Sequence, residues 1–415
     1  MFSRRHWVPP GALIFAQLSQ GASWLLLLWA GVTGSISSIG FPAVAWIHAV
    51  ALGSGTTAAA GVLLHVIPRF SDVRWRSENL ARYSLFFFCA GVVLFVGALL
   101  SRPNLAVFGA GVILLALLTY ITVAIVTLAQ AFRGERTERA IARALLITLL
   151  FLVVTALLGF ALTAWISGYT AAAWIAALPA AHGNLGMLGW LSLLVFGVSV
   201  RTVRPITGAR SRFAAAHIIV GSFTLIGVLL LAIGLAGVSP LVWPGALLFG
   251  CAALVYALDL LDILRRAIGP FGAPRAFLLA AALWLLCALG LGAGALSGHP
   301  WQLAYGFVLL AGWLGQMINA HVYHIGVRVM LTAYRGEDDE TRPQTVLDAR
   351  LSWISFAAFQ LAIASVTFGL LVQNANAVSL GGALGAAGWL AMMANLSIAR
   401  ARARALQPQP TISLL

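Results

Sequence analysis

Lysine is missing altogether: the 25 basic residues are all arginine, a bias that reads as genomic composition rather than chemistry. Charge of either sign is scarce, at 9% of the residues, and only 11 are acidic. A chain this poor in charge cannot present the solvated surface of a soluble globular protein. The three cysteines, Cys89, Cys251 and Cys287, each stand alone within an apolar run. There is no C-x-x-C pair and no C-x-x-C-H sequence, so neither a disulfide framework nor covalently attached haem is expected. The N-terminal MFSRRHWVPP runs straight into a long apolar segment without a small-residue cleavage site, which predicts an uncleaved start. No loop is long enough to form a soluble domain.

What the chain has instead is apolar length. Of its 415 residues 61% are hydrophobic, the mean hydropathy is +0.97, and runs long enough to cross a bilayer recur throughout. Breaking the sequence at its charged and Gly/Pro-rich points predicts twelve helices, over 11–34, 41–68, 80–100, 104–132, 141–168, 174–203, 213–237, 241–265, 276–297, 301–331, 350–373 and 377–399. The fold class is therefore an all-α integral membrane protein with twelve transmembrane helices, residues 1–415 forming one polytopic membrane domain. Lipid is the expected surrounding, and the net charge of +14 belongs to loops rather than to a nucleic-acid surface.

The arginines fix an orientation. Arg4 and Arg5 precede the first helix, clusters at Arg69–Arg82, Arg133–Arg143, Arg201–Arg212, Arg265–Arg275 and Arg328–Arg350 follow every second helix, and Arg400, Arg402 and Arg404 end the last. The intervening loops (TGSISSIG, SGYTAAA, GVSPLVWPG, LSGHPWQ, QNANA) carry no charge, and Arg102 alone falls on their side. Under the positive-inside rule both termini are cytoplasmic, in a bacterial-type inner membrane.

Polar residues inside the spans are the candidate functional sites. The second helix reads HAVALGSG from His48 and the sixth HGNLGMLG from His182; each histidine precedes a glycine, Gly55 or Gly189, by seven residues. The tenth reads YGFVLLAG, with Tyr305 seven before Gly312, and Gly-Trp recurs at Gly189-Trp190 and Gly312-Trp313. The second, sixth and tenth helices thus read as equivalent members of three four-helix units. In this register His48 and His182 form an outer layer about two turns deep. His65, about 25 Å lower at 1.5 Å per residue, forms an inner layer with His217, His321 and His324; His299 sits at the outer surface and His6 outside the membrane.

Neutral imidazole is a ligand for iron and copper that brings no charge into lipid. His48 and His182 are expected to bind haem or metal, and His65 to face His321 or His324 across an inner haem, with Gln316, Asn319 and Tyr323 placed to orient an imidazole. His217 is a further metal-ligand candidate. Gly53, Gly55, Gly186 and Gly189 offer either a smooth wall for a flat macrocycle or plain close packing between helices.

The segment AGVLLHVIPRFSDVRWRSENLARYSLFFFCAGVVLFVG, with its Pro68-Arg69, Ser77 and Leu80-Ala81, resembles the catalytic subunit of haem–copper oxidases, closest to the cbb-type oxidases and nitric oxide reductases. HGNLGMLGW resembles the same ligand-bearing helix. The resemblance covers about 60 residues as motif, and most of the chain as topology. It implies haem b and copper held by histidines of the second, sixth, seventh and tenth helices, and a cytochrome or quinol as electron donor. The chain departs from that pattern: no His-x-His stands high on the tenth helix, the seventh has one histidine rather than two adjacent ones, no cross-linking tyrosine follows His182, and no carboxylate lies at mid-membrane. It is closer in size to the NnrS family of haem- and copper-containing membrane proteins linked to nitric oxide stress. The expected function is a b-type haem or haem–copper oxidoreductase-like protein, without standard proton-pumping residues, that transfers electrons or handles nitric oxide or oxygen. The alternative is a haem-free transporter using its histidines for substrate or protons.

The arginine pattern makes a direct prediction. A phosphatase active only outside the cytoplasm, fused after Leu415, is expected to be silent; an active fusion would reverse the assigned orientation.

Overall fold

The computed structural model describes residues 8–35, 40–134, 136–213, 215–336 and 341–406. Among them there is no strand, and twelve helices are long and apolar enough to cross a membrane. They are α1 (Gly11–Val32), α2 (Phe41–Pro68), α3 (Glu78–Ser101), α4 (Pro103–Arg133), α5 (Ile141–Ile166), α6 (Pro179–Ser199), α7 (Ala216–Leu235), α8 (Ser239–Arg265), α9 (Ala273–Leu296), α10 (Gln302–Arg335), α11 (Ala349–Leu371) and α12 (Ala375–Ala405). The expected spans hold, with ends shifted by a few residues; His6 lies outside the described residues.

Three helices form the middle. In their most apolar stretches 67, 56 and 78% of the residues of α2, α6 and α10 are buried, against 33–50% in the other nine. The packing order explains why. Helices α3, α4, α5 and α6 pack in succession, as do α7, α8, α9 and α10; the third set is α11, α12, α1 and α2, closed by a long α1–α12 contact. Each set runs from the periphery to the centre, and its last member is the central helix. One hydrophobic core takes residues from all twelve spans.

Polar side chains secure these contacts in the manner expected where no water competes. Asn395 of α12, fully buried, grips the start of α11: its Oδ1 accepts from Asp348 N at 2.7 Å and its Nδ2 donates to Asp348 O at 2.9 Å. Asp348 itself caps α11 by accepting from Leu351 N at 3.0 Å. Near the end of α2, Pro68 has no N–H to offer the carbonyl four residues back. The indole of Trp75 takes over, donating to Leu64 O at 2.9 Å. Backbone proximity does the rest. A Cβ on Gly382 of α12 would overlap the backbone of Leu28 in α1, so these two helices approach as closely as glycine permits.

This closeness is testable. Gly382→Ala is expected to destabilise the protein by about 1–3 kcal/mol, the ordinary cost of overpacking. Gly250→Ala, where a Cβ meets nothing within 4 Å, is the matched control; equal melting temperatures for the two variants in detergent would refute the α1–α12 closure.

Candidate functional site

The central helices are not α-helical throughout. Each contains a π-helical segment: Ala49–Thr56 in α2, Leu185–Ser192 in α6 and Val308–Leu314 in α10. The three segments touch one another pairwise and overlap in register, beginning one residue after His48 and three after His182 and Tyr305. A π segment displaces carbonyls from their usual partners, and here polar side chains answer from five residues on. Thr57 Oγ1 donates to Leu52 O at 3.0 Å, Ser192 Oγ to Met187 O at 2.8 Å, and Gln316 Nε2 to Ala311 O at 3.1 Å.

Indoles then close two of the three seams between these helices. Trp190 Nε1 of α6 donates to Thr56 Oγ1 of α2 at 3.1 Å, and Trp313 Nε1 of α10 donates to Ser192 Oγ of α6 at 3.1 Å. The Gly-Trp echo in the sequence is therefore an echo in structure.

At one end of the α2–α6 seam the two echoed histidines meet. The rings of His48 and His182 lie with centroids 6.0 Å apart and planes 18° from parallel. His48 Nδ1 is 2.8 Å from Val44 O, and His182 Nδ1 is 3.1 Å from Thr155 O of α5. A carbonyl only accepts, so each Nδ1 carries the proton and each neutral ring keeps its lone pair on Nε2. Neither Nε2 has a hydrogen-bond partner among the described residues. Phe95 of α3 stands edge-on to His48 at 5.1 Å. A Cβ on Gly159 of α5 would come within 2.8 Å of His182 Cε1, so that glycine makes the room in which the ring sits. Thr155 and Gly159, spaced by four on one face of α5, are site residues that the sequence did not single out.

The other candidates are placed differently. His321 is bound at both nitrogens, Nδ1 to Met317 O at 2.7 Å and Nε2 to Thr202 Oγ1 at 2.8 Å, which is the bonding of a helix-to-helix strut. Gln344 Nε2 lies 3.3 Å from His324 Nδ1. His65 and His217 are exposed, and His299, also exposed, stacks on Trp301 at 4.5 Å. The expected meeting of His65 with His321 or His324 is not among the ring contacts of the described residues. Gln316 and Asn319 do not orient an imidazole: Gln316 Oε1 accepts from Gln360 Nε2 at 2.7 Å, and Asn319 Oδ1 from Gln20 Nε2 at 3.3 Å. Tyr323 bonds Ser355 at 2.7 Å. No group of three or more His, Cys, Asp or Glu side chains converges among the described residues.

The glycines decide between the two readings given to them. A Cβ on Gly53 would stand 2.8 Å from Ser19, on Gly55 3.2 Å from Leu191, on Gly186 3.1 Å from Thr155 and on Gly189 2.5 Å from Phe151. Neighbouring helices occupy the faces that a macrocycle would need. These glycines serve close packing, and the smooth wall for a haem is not there.

Compared with known proteins, the chain matches no family model and no curated relative. The site is read from its own geometry.

The seam bonds give a quantitative expectation. A double-mutant cycle on Trp190→Phe and Thr56→Val should return a coupling of about 0.6 kcal/mol, typical of hydrogen bonds between membrane helices. A coupling indistinguishable from zero would show that the indole does not close the seam.

Proposed function

We propose that this chain is a membrane-embedded metalloprotein in which His48 and His182 hold one redox-active transition-metal ion, serving electron transfer or the handling of a diatomic gas. The observation that carries the reading is the ring pair itself. Two imidazoles joined through one ion at about 2.0–2.1 Å per bond place their ring centroids roughly 6 Å apart, and the two rings stand at 6.0 Å.

The donor set narrows the ion. Imidazole suits copper, iron, zinc and nickel, and no carboxylate or thiolate joins the pair among the described residues. A dication between two neutral rings would keep its full charge within lipid, at high cost. A monovalent copper ion carries half that charge, and the cost of burying a charge falls more steeply than the charge itself. The iron of haem b would be neutralised by its own macrocycle, but the glycine faces that would seat the macrocycle are filled. Copper fits this pair; haem against these glycines does not.

Copper at this place would supply one-electron redox chemistry. The protein's own residues supply orientation. Val44 O and Thr155 O hold the Nδ1 protons and so leave both Nε2 lone pairs available, the carbonyl-to-histidine arrangement that steadies a metal ligand. Gly159 sets the position of the His182 ring, and Phe95 covers the edge of His48.

Metal analysis and a haemochrome assay on purified wild type, His48→Ala and His182→Ala test the reading. Copper near one ion per chain in wild type, lost from both variants at unchanged melting temperature, is the expected result. Gly159→Val, which pushes on the His182 ring without removing a donor, should lower copper occupancy as well. Copper retained in both histidine variants would refute the ligand pair. Wild type free of metal and haem, after growth in replete medium, would transfer the histidines to substrate or proton binding.

A further inference from the structure

The third seam of the hub, between α2 and α10, is built unlike the other two. At the level where Trp190 and Trp313 reach across their seams, α2 offers Thr56, already an acceptor for Trp190, and α10 offers Gly315, which has no side chain. No bond bridges the two. A small internal cavity lies there instead, bordered by Gln20, Trp24, Trp46, Ser54 and Gly315.

Most of the cavity wall is apolar, but Gln20, Ser23, Ser54 and the indole of Trp46 bring polar groups to it in an uncommon place. Gln20, Ser54 and Asn319 lie within two residues of the middle of their spans, at 21.5, 54.5 and 318.5 from the ends of α1, α2 and α10, where an unmatched polar group is most costly. Yet several such groups have no partner in the protein. Gln20 and Asn319 share a single bond at 3.3 Å, which leaves Gln20 Oε1 and Asn319 Nδ2 unpaired. Turning both carboxamides over exchanges the atoms but still leaves one donor and one acceptor. Trp46 borders the cavity and its Nε1 is unpaired, as are both polar atoms of Gln17, one turn from Gln20 on the same face of α1. These side chains are deeply buried: Gln17 is 3%, Gln20 7%, Trp46 4% and Asn319 0% exposed.

The set combines donors and acceptors, and no charged side chain borders the cavity. That combination rejects an ion and suits an uncharged molecule able both to give and to accept hydrogen bonds. Size selects among such molecules, since the cavity has room for about one or two water molecules, and buried water is held where otherwise unpaired polar groups can bond it. We infer that the α2–α10 seam is a water-binding site at the bilayer midplane, in which ordered water bridges Gln20 and Trp46, with Asn319 and Gln17 extending the site along α10 and α1. The site lies on a different seam from the histidine pair and does not depend on the metal reading. It would place exchangeable protons halfway through the membrane in a chain with no carboxylate at that depth.

Radiolytic hydroxyl-radical footprinting of the full-length protein in detergent tests this, because bound water generates radicals beside the residues it touches. The molecule carries its own controls: Trp190 and Trp313 are 2% and 0% exposed, as buried as Trp46, but their indoles are bonded to protein hydroxyls. Trp46 is expected to be oxidised several-fold faster than Trp190 and Trp313. Gln20→Leu and Asn319→Leu, which fill the site with apolar atoms, should bring Trp46 down to the rate of the other two. Trp46 oxidised no faster than Trp190 and Trp313 in wild type would overturn the proposal, and that comparison stands even if the variants fail to fold. A fast Trp46 rate that survives both substitutions would overturn it too, because the radicals would then arise elsewhere.

Discussion

A helix that runs for several residues with i→i+5 bonds is wider than an α-helix and uses its backbone less well, so it persists only where its surroundings hold it. Three such segments face one another here, and each is held in the same two ways. A side chain at or just past the end of the segment returns to a displaced carbonyl, and the other two segments press against it. The peripheral helices can be read as the structure needed to keep these three in register. Their own faces are apolar and largely turned outward, whereas the middle of α10 is almost wholly enclosed.

The three seams start from one pattern and have diverged. Between α6 and α10 the space is filled by rings: Phe196, Tyr256 and Trp313 lie 4.5–5.7 Å apart, centroid to centroid. Between α2 and α6, rings give way at one end to a pair of imidazoles. Between α10 and α2 one ring contact remains, Trp46 on Phe307 at 5.3 Å, and beside it lie the carboxamides of Gln20 and Asn319. Repetition supplies the scaffold, and the breaks in repetition supply the chemistry. Tyr305 illustrates this. It stands where α2 and α6 have histidine, and its hydroxyl donates to Asn184 at 3.1 Å, so the third position of the outer layer serves as a strut beside His182 rather than as a third ligand.

The spans and the equivalence of the three central helices were legible in the sequence, because both rest on features that lipid imposes one residue at a time: apolar length, charge at helix ends, and recurring Gly-Trp pairs. The common depth of His48 and His182 followed from the same register, but not that their rings meet. What escaped reading depends on which way a side chain turns. Gln316 and Asn319 were assigned to an imidazole because they share a face with His321, but a carboxamide in lipid bonds to whatever lies across the interface, and there it meets Gln360 and Gln20. The glycines at 53, 55, 186 and 189 were ambiguous for a similar reason. Absence of a side chain admits a cofactor or a neighbouring helix equally well, and only the position of Ser19, Leu191, Thr155 and Phe151 decides. The π segments left no trace in hydropathy, since an i→i+5 shift over a uniformly buried stretch does not alter which residues are apolar.

The closing contact between α1 and α12 has a consequence for how the molecule is made. Two of the three helix sets, α3–α6 and α7–α10, are continuous in the chain and have all their members once their last helix has been synthesised. The third joins the first two spans to the last two. Until α11 and α12 emerge, α1 lacks the neighbour against which its glycine-level contact is formed, and α2 packs on a helix whose outer side is still uncovered. Domains generally fold as units in order of synthesis; here the earliest helices wait longest, and the ribosome completes the circle only with the final span.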